Sequence, residues 1–134
     1  MPARLLLELT IAAHQNSGMN DLANKQPYTP VDPLRISRCI GDAYHNQRIV
    51  SVNDHEIRMS VMTSPFPWHR HPDSDEIFFC IDGALVIEVD DREITLHPGE
   101  FLTVPKGTRH RTRPAGNRSV NLTFEKLDSE TVFD

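Results

Sequence analysis

From about residue 47 onward, apolar and polar residues alternate in short runs broken at regular intervals by turn-forming residues. Residues 48–52 and 56–62 flank the pair Asn53-Asp54, which predicts a hairpin. Residues 77–81 and 84–89 are β-rich runs joined at Asp82-Gly83. Asp90-Asp91 then turns into residues 93–96, and Pro98-Gly99 turns into 101–104. Pro105-Lys106-Gly107 precedes a run over 108–113, and residues 119–126 close the series. Many short strands at even spacing predict an antiparallel barrel or sandwich, so the fold class is all-β. There is no helical repeat and no low-complexity tract.

The first third follows a different pattern. A short apolar segment over residues 3–13 predicts a helix, and Pro27, Pro30 and Pro33 space out an extended linker or arm. The expected organisation is an N-terminal extension and arm over 1–45 and a barrel domain over 46–134. Met19 could serve as a start, which makes residues 1–18 an expected dispensable extension. The apolar segment is too short to span a bilayer and is interrupted by Glu8, so neither a membrane anchor nor a leader is expected. A cytoplasmic location follows.

Composition narrows the partners. Lys and Arg total 14 against 19 Asp and Glu, a formal net charge of -5. That balance disfavours nucleic acid and anionic membranes, both of which select basic surfaces. With 134 residues, 38% of them hydrophobic, the chain can build one packed core. Cys39 and Cys80 are expected as free thiols rather than a disulfide framework.

The chemistry begins at Trp68-His69-Arg70-His71. In a strand, residues two apart share a face, so His69 and His71 point the same way and Arg70 points oppositely. Glu76 follows after a stretch long enough to turn into the next strand, and His110 lies on a later strand. Three imidazoles and one carboxylate suit one divalent transition metal ion: Fe, Mn, Ni, Co or Zn. A lone His-x-His is also common in surface pairs and satisfied cores.

The spacing His69-x-His71-x4-Glu76-x6-Gly83 resembles the first signature motif of the cupin superfamily, and Gly99-x5-Pro105-x-Gly107-x2-His110 resembles the second. Fifteen residues separate Gly83 from Gly99, the short distance usual in small bacterial cupins. Pro114 stands where the second motif commonly has Asn, a departure that bears on local turn geometry rather than on the ligands. Val52-Asn53-Asp54, Phe66-Pro67-Trp68, Asp73-Ser74-Asp75-Glu76 and Pro98-Gly99-Glu100-Phe101 look like a group of small bacterial cupins with no established reaction. The resemblance covers roughly residues 47–131 and implies a double-stranded β-helix (jelly-roll) barrel with His69, His71, Glu76 and His110 as metal ligands. It implies no reaction.

Other residues receive weaker expectations. Alternation sets Arg109, Arg111 and Arg113 on the face opposite His110, turned to solvent or a partner subunit. Arg58 is the better candidate for an anionic ligand, although an exposed arginine is commoner. Phe78 and Cys80 should lie under the site, and Trp68 should either close the barrel mouth or pack under the arm, packing being favoured. His14, His45, His55 and His97 are expected in surface or loop positions. No nucleophile elbow, phosphate loop or Cys-x-x-Cys is present, and few further titratable groups are expected in the pocket. The expected function is a metal-dependent enzyme of dioxygenase or isomerase type on a small organic substrate. The alternative is a non-catalytic small-molecule or metal-binding module. A homodimer is expected, the proline-spaced arm at 25–36 crossing to the partner.

Overall fold

A computed structural model describes residues 27–134. The helix expected over 3–13, the extension expected over 1–18 and His14 all lie outside the described residues. The first described element departs from the extended arm that the prolines suggested. Pro33–Ser37 forms a short helix, α1. Asp32 caps it by accepting the Arg35 N–H at 3.1 Å. Pro33 opens the helix, where its missing N–H costs nothing.

Ten strands follow: β1 (Tyr44–Val52), β2 (His55–Met62), β3 (Phe66–Arg70), β4 (Glu76–Asp82), β5 (Leu85–Val89), β6 (Arg92–Leu96), β7 (Phe101–Val104), β8 (His110–Pro114), β9 (Ser119–Lys126) and β10 (Val132–Phe133). They build two five-stranded antiparallel sheets, ordered β1-β2-β9-β4-β7 and β10-β3-β8-β5-β6. The sheets face each other as a jelly-roll barrel. A shared core between them contains Met62, Phe78 and Cys80 from the first sheet and Phe66, Leu85, Ile87 and Leu96 from the second. The hairpin expected around Asn53-Asp54 is present as β1–β2, whereas β10 gave no signal in the sequence. Among the described residues no helix is long and apolar enough to cross a membrane.

The first sheet is polar on part of its inner face and apolar on its outer face. On β2, Glu56, Arg58 and Ser60 share the face of Met62 and are buried inside the barrel. On β9, Ser119, Asn121, Thr123 and Glu125 do the same. The alternate residues Met59, Val61, Val120 and Leu122 form a second apolar cluster, packed by Val31, Ile36 and Ile40 from and around α1. Burying a side chain of this size stabilises by roughly 1.5–3 kcal/mol relative to exposure. The α1 segment is thereby held on the sheet, and Arg118 reinforces it by donating from Nη2 to the Ser37 carbonyl at 2.6 Å.

Candidate metal centre

Residues from three strands meet at one end of the lumen. His69 on β3 pairs directly with His110 on β8. His71 follows immediately after β3, and Glu76 opens β4. The register of β3 shifts between Phe66 and His69, so both residues turn inward although three positions apart. The loop between His71 and Glu76 is fastened by its own side chains. Asp75 accepts the Lys106 N–H at 2.8 Å, Asp73 accepts the Glu130 N–H at 3.0 Å, and Ser74 Oγ accepts the Lys126 N–H at 3.1 Å. The Gly107 N–H donates to the His71 carbonyl at 2.8 Å, which joins the turn before His110 to the His-x-His segment.

The four side chains are buried, and one ligand atom from each lies within 4.8 Å of all the others. Each imidazole is oriented from behind by a backbone carbonyl. Nδ1 of His69 meets Pro67 O at 2.7 Å, His71 meets Glu130 O at 3.0 Å, and His110 meets Thr108 O at 2.8 Å. A carbonyl can only accept, so Nδ1 carries the hydrogen and a neutral ring keeps its Nε2 lone pair for the centre. Nε2 of His110 and of His71 lie 3.1 Å and 3.3 Å from Glu76 Oε1. The His71 atom, although buried, lacks the alignment of a hydrogen bond. Acceptors facing acceptors at this range require a proton or a cation between them. This donor set could hold a metal ion.

The electrostatics of the four side chains reflect their burial and their closeness. Burial, and then the neighbouring His110, lowers His69 to about 4. Burial also opposes a charge on His71, but Glu76 and then Glu125 outweigh it and raise His71 to about 9. Burial would lift Glu76; His110 and His71 overrule it and hold this carboxyl far below the usual carboxylate range.

Sequence reasoning undercounted the titratable groups nearby. Glu56 pairs with Glu125 across β2 and β9, and Glu76 stands one residue before the Ile77–Phe124 pair of β4 and β9, so three carboxyls lie side by side on the inner face. Glu125 Oε2 lies 4.0 Å from His71 Nε2 and accepts from the Ser129 hydroxyl at 2.9 Å. Burial, and then the Glu76 charge, raises Glu125 to about 8. Arg58, in the adjacent row, is only 1% exposed. It donates from Nε to Asn46 Oδ1 at 2.5 Å and from Nη1 to Glu56 Oε1 at 3.3 Å. Asn46 in turn donates to the Tyr44 hydroxyl at 3.2 Å, and Tyr44 stacks on Phe66 with centroids 4.7 Å apart. Burial keeps the Tyr44 hydroxyl protonated well above its ordinary range; Asn46 opposes this, while Glu76 adds to it. A signal was available: Ser119, Asn121, Thr123 and Glu125 alternate strictly with Val120, Leu122 and Phe124.

The remaining expectations divide. Arg109, Arg111 and Arg113 do face away from the cluster, paired with Asp134 and Asp90, Glu88, and Glu93 respectively. Phe78 and Cys80 are buried in the core, Phe78 with its ring 5.9 Å from His110. Among the described residues Trp68 neither closes the barrel nor packs under the arm. It lies outside, beneath Arg109 and Arg111, whose guanidinium carbons stand 4.0 and 4.9 Å from its ring centroid. Arg58 is buried rather than exposed. His45 is half-buried on β1 against Gln47 at 2.8 Å, not in a loop, whereas His55 and His97 are exposed.

Comparison with known proteins agrees with this architecture. A cupin-domain family model matches residues 55–124. The uncharacterized protein YdbB of Bacillus subtilis is 43% identical over 101 residues, covering 75% of this chain and 88% of YdbB. Quercetin 2,3-dioxygenase from the same organism is 42% identical over 45 residues, 34% of this chain but 13% of that enzyme. A cupin-2 domain containing protein from Shewanella frigidimarina superposes with a TM-score of 0.67 at 26% identity, covering 72% of this chain and 94% of that one. On the family match, the relatedness to YdbB and the jelly-roll barrel with its inward His/Glu cluster, the chain belongs to the cupin family.

Proposed function

We propose that this chain is a metal-dependent enzyme of dioxygenase or isomerase type acting on a small organic molecule. In this reading His69, His71, Glu76 and His110 hold one divalent transition metal ion per chain, from among Fe, Mn, Ni, Co and Zn. The observation that carries it is the convergence of three carbonyl-oriented imidazoles and one carboxylate within 4.8 Å. A bound ion of this kind supplies Lewis-acid polarisation and, where it is redox-active, electron transfer. The chain's own contribution is a buried, carbonyl-oriented donor set with a second carboxyl, Glu125, 4.0 Å from His71 and available to exchange a proton with a bound molecule. A purely structural ion needs no such neighbour. Similarity to quercetin 2,3-dioxygenase over 45 residues supports the dioxygenase arm. The free thiols of Cys39 and Cys80 support a reducing, cytoplasmic setting.

The test is metal analysis of tag-free protein purified without added metal, followed by oxygen uptake and isomerisation assays against a panel of diols and organic acids. About one ion per chain and turnover of a panel compound are expected. His69→Ala combined with His71→Ala should abolish stoichiometric metal while circular dichroism still reports a folded barrel. Undiminished metal in that double variant refutes the ligand assignment. Ligands that raise the melting temperature without any turnover would instead identify a binding module.

A further inference from the structure

The least satisfied cation in the lumen is Arg58. Its guanidinium is essentially fully buried, yet Nη2 has no hydrogen-bond partner among the described residues. Its carboxylate neighbour Glu56 is shared: Arg48 Nε takes Oε2 at 2.5 Å, while Arg58 holds Oε1 at 3.3 Å. A buried guanidinium with an idle N–H edge is costly, since desolvation is complete and the compensating bonds are not. Asn121 has a matching defect. Its side chain is fully buried, Nδ2 donates to Ser119 Oγ at 3.1 Å, and Oδ1 accepts nothing among the described residues.

The two defects are neighbours on one surface. Arg58 pairs with Thr123, and Asn121 precedes Thr123 by two positions, so both side chains point into the barrel on adjacent strands in a diagonal relation. Such diagonal neighbours stand roughly 7–8 Å apart. The same surface continues to the metal cluster. Arg58 is linked through Asn46 to Tyr44, whose hydroxyl responds to the charges of both Arg58 and Glu76. An idle donor edge and an idle acceptor at this spacing call for a ligand with an anionic group at one end and a hydroxyl at the other.

We propose that the lumen binds a small hydroxycarboxylate, its carboxylate on the free Nη2 edge of Arg58 and its hydroxyl donating to Asn121 Oδ1. This rests on the functional reading above and deepens it, because it names a substrate class for the same barrel interior. Arginine suits the role because its planar fork fits a carboxylate and its charge survives burial.

The probes are lactate, its neutral amide lactamide, and propionate, which lacks the hydroxyl. Each is titrated into metal-free full-length protein and followed by amide chemical shifts. Lactate should bind at least about tenfold more tightly than lactamide, the effect of a charge-assisted bond to a buried cation. Arg58→Gln should erase that preference, and Asn121→Ala should close the gap between lactate and propionate. Equal affinities for lactate and lactamide, no saturable response to lactate, or an unchanged preference in Arg58→Gln would each overturn the proposal. If Arg58→Gln does not fold, Asn121→Ala decides: a lactate–propionate gap that persists there is fatal. Metal content measured on the tag-free protein before the ion is stripped for the titrations keeps the two readings separate. A chain that takes no metal but discriminates lactate from lactamide refutes the metal reading and leaves this one standing; the converse result does the reverse.

Discussion

Glu125 shows how one side chain can be decisive and still be inconspicuous in the sequence. It lies in an ordinary alternating run, one strand away from Glu76, with its carboxyl 4.0 Å from His71 Nε2. Replacing it by Gln keeps the shape and the acceptor for the Ser129 hydroxyl, so folding and metal content should be unchanged. A proton-exchanging role predicts that kcat on the panel substrate falls by about a hundredfold or more. An unaltered kcat would assign Glu125 to packing alone. The four cluster residues were legible in the sequence because cupin-like spacing marks them. Glu125 and Asn46 were not, and Arg58 was singled out as a candidate while its burial was missed, since nothing local distinguishes a polar residue facing a lumen from one facing water. Strand periodicity divides residues between two faces and leaves open which face is enclosed.

At the level of elements, the strands were readable almost end to end because turn residues bracket each run. Gly83 illustrates the physical constraint behind one bracket. Its φ is +73°, and a Cβ there would sit 2.2 Å from the Arg118 carbonyl oxygen. Gly83→Ala should therefore destabilise the fold by about 2 kcal/mol or more, combining left-handed strain with a backbone clash. Gly116→Ala meets nothing within 4 Å and should be close to neutral; urea denaturation of the two variants compares them directly. What the sequence concealed at this level was α1, one turn masked by prolines that suggested extension. Asp32 followed by Pro33 is a helix-start signal in its own right. Two-residue β10 is too short for any periodicity to register.

For the whole molecule, the outer face of the first sheet sets the terms of association. α1 and its neighbours cover one half of that face. The other half carries Phe79 stacked on Phe101, centroids 4.2 Å apart, with Phe124 alongside and Phe101 62% exposed on an edge strand. An apolar aromatic patch on a strand that is unpaired on one side among the described residues favours self-association. Light scattering at micromolar concentration should give a dimer mass, and Phe101→Asp should give a monomer with the same metal content. A monomer for the unmodified chain would overturn the homodimer. The pairing of His69 with His110 has a kinetic corollary. Those partners are roughly 40 residues apart, and closing a loop of that length costs about 3 kcal/mol of chain entropy before any contact repays it. The imidazole cluster therefore comes together only as distant parts of the chain find each other, so under the proposed metal reading ion uptake during refolding should lag behind formation of the local hairpins.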